Sequence, residues 1–254
     1  MTDRIESIGM KENNMTDTRA LRTAIVGLLR HAAMEEEMLI VSTSHRRHEG
    51  SAERWAPLPT IAHNTEFKRQ QVQRLQSILR EETPPTFTEV DHGSQPVYEV
   101  YAAVDLDVAA GESRRTANDL VESLLLVSDA DLTDPARHPW LRGRPLWLQT
   151  IVRGFWHPLG HVGDWYIANA LQERGVALRN NAVATAEYLN APDASRGMAW
   201  YSLACTYAAI GTLDGAVEAL EHAAKLNRDF RERIATEPDL QGLRTDYRVA
   251  ALIG

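Results

Sequence analysis

Apolar residues recur every three to four positions along successive stretches of this chain, and that period constrains its fold more than any other feature. The strongest stripe is Leu148, Ile151, Phe155, Leu159, Val162 and Tyr166, which predicts one helix over about 145–174 with Gly175 as its stop. Leu21, Ile25, Leu28, Ala32 and Leu39 predict another over about 17–41, entered through Thr16-Asp17-Thr18. In that helix Glu35-Glu36-Glu37 reads as a polar face, with His31 close by. A further face is Ile61, Thr65, Lys68, Val72, Leu75 and Leu79, although Thr65 and Lys68 weaken it; Pro57 and Pro59 suit its entry and Pro84-Pro85 its end. Ala117, Leu120, Val121, Leu124 and Leu125 mark another helix before Ser128-Asp129. Between Phe87 and Asp105 the pattern loosens. Val97 to Tyr101 could be extended, but one strand makes no sheet, so this stretch reads as a long ordered loop. The fold class is all-α, a four-helix bundle of unequal connections over 17–191.

A shorter helix over Asn180–Leu189 is followed by Asn190-Ala191-Pro192-Asp193, a boundary, and then by a tail rich in alanine. Trp200, Leu203, Ala204, Tyr207, Gly211, Ala216, Leu220 and Ala223 are spaced as in one tetratricopeptide-type helix-turn-helix unit, with Arg228 where a proline is usual. One such unit is not stable alone, so the region 192–254 must dock on the bundle. Phe230 to Leu252 supply closing helices, with Pro238 starting the last.

Lys+Arg 27 against Asp+Glu 35 leaves a net charge of -8, so no general basic field gathers phosphates and nucleic acid is not an expected partner. The single cysteine, Cys205, excludes an internal disulfide and a thiolate-rich zinc cluster, and fits a reducing compartment. It reads as a small apolar residue of the repeat rather than a nucleophile. No apolar run is long enough to span a membrane, residues 1–16 read as a loose polar tail, and a cytoplasmic location is expected.

His157 and His161 stand one helical turn apart, a spacing able to grip one metal ion, but two imidazoles need a third ligand. His63, in Thr60-Ile61-Ala62-His63-Asn64-Thr65-Glu66, lies beside the apolar face of its helix and can point at a neighbour. The remaining histidines fit less well. His45 and His48 flank Arg46-Arg47, whose charge would repel a cation, and His92, His138 and His222 have no spaced partner. Tryptophans 140, 147, 156 and 165 gather around the most apolar helix and read chiefly as core.

With Trp55 ahead of Ile61-Ala62-His63, and His157 and His161 far downstream before Val162-Gly163-Asp164, the chain resembles the DinB/YfiT-like family of metal-binding four-helix bundles over roughly 17–175. The resemblance implies that His63, His157 and His161 are ligands of a divalent transition metal, zinc or nickel, with a position left for water or substrate. It also implies chemistry on small molecules, with a low-molecular-weight thiol or water as the activated group, and often a homodimer. Glu66 and Asp164, each three residues from a proposed ligand, are candidates to orient an imidazole or accept a proton. Pro158 sits between the paired histidines and crowds the carbonyl of Gly154, so a bend is expected there. The alternative reading is a non-catalytic scaffold that engages a protein partner through its tetratricopeptide-like region, with a structural metal or none.

Overall fold

The computed structural model describes residues 17–43, 50–51, 54–87 and 95–254. The expected tail 1–16 and the histidines His45, His48 and His92 lie outside the described residues. All regular structure among the described residues is helical: α1 Thr18–Thr43, α2 Pro57–Leu79, α3 Gln95–Ala102, α4 Leu106–Leu126, α5 Asp129–Thr133, α6 Leu146–Ile151, α7 His157–Ala168, α8 Gln172–Tyr188, α9 Asp193–Ala209, α10 Leu213–Leu226, α11 Phe230–Thr236 and α12 Tyr247–Ile253. Short 3-10 turns at Pro139–Leu141 and Pro238–Leu243 complete the chain. None of these helices is long and apolar enough to cross a membrane.

Helix α2 begins at Pro57, whose missing amide hydrogen costs nothing in a first turn. Helix α4 is capped by Asp105, whose carboxylate accepts from the amides of Asp107 and Val108. It starts eleven residues before the apolar pattern at Ala117, because the cap and the small residues Ala109 and Ala110 build its first turns. The stretch read as a loop contains α3: a helix of only eight residues shows too little of its period to be recognised, and Pro96 stands in the first turn, where proline is tolerated.

Two further expectations change. Thr65 and Lys68 are buried with the rest of the α2 face, but Glu36, from the supposed polar face of α1, is buried too. Lys68 Nζ donates to Glu36, while Ser113 Oγ of α4 lies 3.3 Å from both groups. A buried ion pair thus ties three helices together, and opposite charges on different elements cancel in a way no single stripe reveals. Glu35 is also buried, paired with Arg174, and only Glu37 of the acid run remains partly exposed, held by Arg114.

The apolar helix expected over 145–174 is divided. Between α6 and α7 the chain makes a π turn, Val152–Trp156, in which the His157 amide donates to the Val152 carbonyl, five residues back. The wider turn makes room for Pro158 without ending the helix. Side chains of α1 and α4 pack on Gly154, within it: a Cβ there would lie 2.3 Å from Leu29 Cδ2 and 2.8 Å from Leu120 Cδ2. Helix α7 ends at Ala168, with Ala170 at φ 62 turning the chain. Gly175 is not a stop; it lies inside α8, where a Cβ would meet Ile167 at 2.6 Å and the Gly163 carbonyl at 2.9 Å.

The C-terminal helices α9 and α10 pack against each other across Gly211, which supplies the left-handed turn at φ 78. Ala204, Ala216, Leu220 and Ala223 are fully buried between them. Trp200 is half-buried and stacks on His222, with its Nε1 donating to Glu187 of α8 at 3.1 Å. Pro238 opens a 3-10 turn rather than the last helix. Buried apolar side chains form two clusters, one running from Leu21 to Ala191 and one from Val183 to Val249, and α8 contributes to both.

Candidate metal centre

Three imidazoles meet where α2 faces α7. One ring nitrogen from each of His63, His157 and His161 lies within 4.8 Å of the others, and His63 Nε2 is 2.9 Å from His157 Nε2. His63 is fully buried, whereas His157 and His161 are half-buried, so the cluster has a dry side and a side toward solvent. The ring centroids are 5.0 Å apart for His63 and His157, 5.0 Å for His63 and His161, and 4.5 Å for the α7 pair. The continuous course of the backbone through the π turn keeps the α7 pair on one face despite Pro158.

Helices α6 and α7 are held in register with α2 by buried side chains. Asn64 Nδ2 reaches the Pro158 carbonyl at 3.4 Å, and Gln71 Nε2 donates to Thr150 Oγ1 at 3.0 Å. From the other side Arg179 of α8 donates to the Gly160 carbonyl at 3.2 Å, inside the turn that carries both α7 histidines. Gly160 permits this approach, since a Cβ there would stand 3.1 Å from the guanidinium.

Aromatic side chains frame the imidazoles. Phe67, one turn after His63, stacks on His157 at 4.0 Å, and the Arg153 guanidinium covers Phe67 at 4.5 Å. Trp55 lies parallel to His161 at 6.2 Å and meets His63 edge-on at 5.1 Å. Tyr101 of α3 approaches His63 at 5.2 Å; burial, and then the nearby Glu66 carboxylate, raise its phenol above the ordinary range. The helix missed in the sequence therefore contributes to the site. Phe67 was open to discovery from its four-residue spacing to His63, but nothing local marks Tyr101, Arg153 or Arg179.

The two acids take different places. Glu66 accepts from Arg69 at 2.5 Å and from Gln70 at 3.2 Å, and lies close enough to Tyr101 to act on its phenol. Asp164 is mostly exposed and pairs with Arg179, the residue that braces the Gly160 carbonyl. Of the other histidines, His31 lies edge-on to Phe155, His138 sits 3.5 Å from Asp131, and His222 stacks on Trp200. Cys205 is half-buried in α9, where burial, followed by Glu237 and Asp239, pushes its thiol up to about 12.

The donor set suits a divalent transition ion. Three imidazoles are the nitrogen ligands such ions favour, and their nitrogens lie within 4.8 Å of one another. No family model, curated protein or solved structure matches the chain.

Proposed function

We propose that this chain is a metal-dependent enzyme of the DinB-like kind, in which His63, His157 and His161 hold a divalent transition ion, zinc or nickel, and act on a small electrophilic substrate. The observation that carries the reading is the convergence of three imidazole nitrogens from two helices within 4.8 Å, with two of the rings partly open to solvent. When bound, such an ion supplies Lewis acidity, lowering the pKa of a coordinated water or low-molecular-weight thiol.

The chain's own residues supply orientation and exclusion of water. Phe67 fixes the plane of the His157 ring by stacking, and Trp55 does the same for His161 while covering an edge of His63. Arg179, paired with Asp164, holds the turn between the two α7 ligands, so Asp164 acts through position rather than as a base. Glu66, beside Tyr101 and paired with Arg69, is the acid better placed to receive a proton. The protein is expected to work in the cytoplasm on a small molecule, and as a homodimer.

Elemental analysis of the untagged protein tests the reading. One equivalent of zinc or nickel is expected for the wild type and none for His157→Ala or the triple histidine variant, with thiol-transfer or hydrolytic turnover lost alongside the metal. Equal metal content in wild type and variants would overturn it. Metal retained by wild type but turnover of no thiol acceptor or hydrolysable substrate, with partner capture unchanged in the variants, would instead favour the scaffold reading.

A further inference from the structure

Apart from the histidine cluster, one group of polar atoms in the interior has a consistent chemical deficit. Arg74 of α2 is buried, with 7% of its surface exposed, yet its Nε and Nη1 reach no hydrogen-bond acceptor and none of the described acids pairs with it. Its guanidinium lies 4.8 Å from the Phe87 ring and 5.5 Å from the Trp140 ring, and the Trp140 Nε1–H is a further buried donor without an acceptor. Burial, and then the Arg153 guanidinium, lower Arg74 to about 10, so it remains a cation at neutral pH.

All three orphaned groups are donors, and the Arg74 guanidinium carries a positive charge that no described carboxylate meets. Aromatic faces offset part of the cost of burying a guanidinium, but they accept no N–H hydrogen bond of ordinary strength and carry no net charge. A neutral acceptor such as water would satisfy the hydrogen bonds and leave the charge unbalanced. What completes the group is an acceptor that is also an anion. Phe87, Trp140 and Arg153 are only half-buried, so the surroundings of Arg74 border on solvent.

We infer that Arg74, with Trp140, forms a binding site for the oxyanion of a small ligand, a carboxylate or a phosphate. The site stands on its own donors and does not require the metal reading.

The test is isothermal titration of the full chain, stripped of metal with a chelator, against benzoate, inorganic phosphate and neutral benzamide. Saturable binding of benzoate or of phosphate is expected, and which of the two binds identifies the oxyanion; benzamide should not bind. Arg74→Met, which keeps the length and apolar contacts of the side chain, should weaken binding at least tenfold, and Trp140→Phe by several-fold. Should Arg74→Met fail to give a wild-type circular dichroism spectrum, Arg74→Lys and Trp140→Phe decide the matter, both with weakened binding. The inference is overturned if neither anion binds at millimolar concentration, if benzamide binds as tightly as the anions, or if the folded variants bind like wild type.

Discussion

Gly154 shows how much one hydrogen atom in place of a side chain can decide. Its Cα lies where α1 and α4 close on the π turn, and the Leu29 and Leu120 methyl groups occupy the space a Cβ would need. Gly154→Ala is expected to destabilise the protein by about 1–3 kcal/mol through overpacking, read as a lower urea midpoint with an unchanged slope. Cys205 offers a second test at this scale. With the folded thiol held near 12 against an ordinary value of 9.0, the thiol stays protonated in the native state over a range where the unfolded chain ionises. Its contribution to stability is therefore complete below pH 9 and is lost as the pH rises from there toward 12. Alkylation by iodoacetamide at pH 8 should be slow in the native protein and fast in urea; equal rates would show an accessible, ordinary thiol.

At the scale of elements, the Lys68–Glu36 pair and the π turn do the work of registration. Lys68→Met leaves Glu36 as a buried, unpaired carboxylate, so a loss of about 3–5 kcal/mol is expected. The double variant Lys68→Met, Glu36→Met should be less destabilised than either single variant, a coupling that equilibrium unfolding of all four proteins will measure. These elements also mark how far the sequence could be read. The helical period located α1, α2, α4 and the apolar stretch around Phe155, because each buries a broad face at regular spacing. It placed Lys68 on the face that is buried but missed Glu36, since a charge is accepted in the core only when a partner from another helix meets it, and that partner is far away in sequence. It failed for α3, which is too short to repeat, and it gave Gly175 the role of a stop when the residue instead permits α8 to lie close against α7. The His157 and His161 pair was legible from its spacing, and His63 joined it through the resemblance in motif order rather than through any local pattern. The ring stacking of Phe67 and Trp55, the phenol of Tyr101 and the brace of Arg179 depend on how helices cross, which no local pattern encodes.

For the whole molecule, two expectations concern stability. An ion bound only by the native chain stabilises it by mass action, about 2.7 kcal/mol at a free concentration one hundred times Kd. Zinc or nickel should therefore raise the melting temperature of the wild type, and His63→Ala should abolish that increment; an equal shift in the variant would place the ion elsewhere. The second concerns cooperativity. Leu178 and Ala186 of α8 belong to the first apolar cluster and Val183 of the same helix to the second, so one helix walls both. Thermal unfolding followed by far-ultraviolet and near-ultraviolet circular dichroism should show coincident transitions, whereas separate midpoints would mean that the stretches before and after residue 191 melt independently. A shared wall also bears on how such a chain can be cut or recombined. Division after α8 would strip one side of that helix of its cover, and division before it would leave α7 without the surface on which Gly163 rests; neither piece would retain a complete interior, and each would be expected to aggregate or to seek out the other.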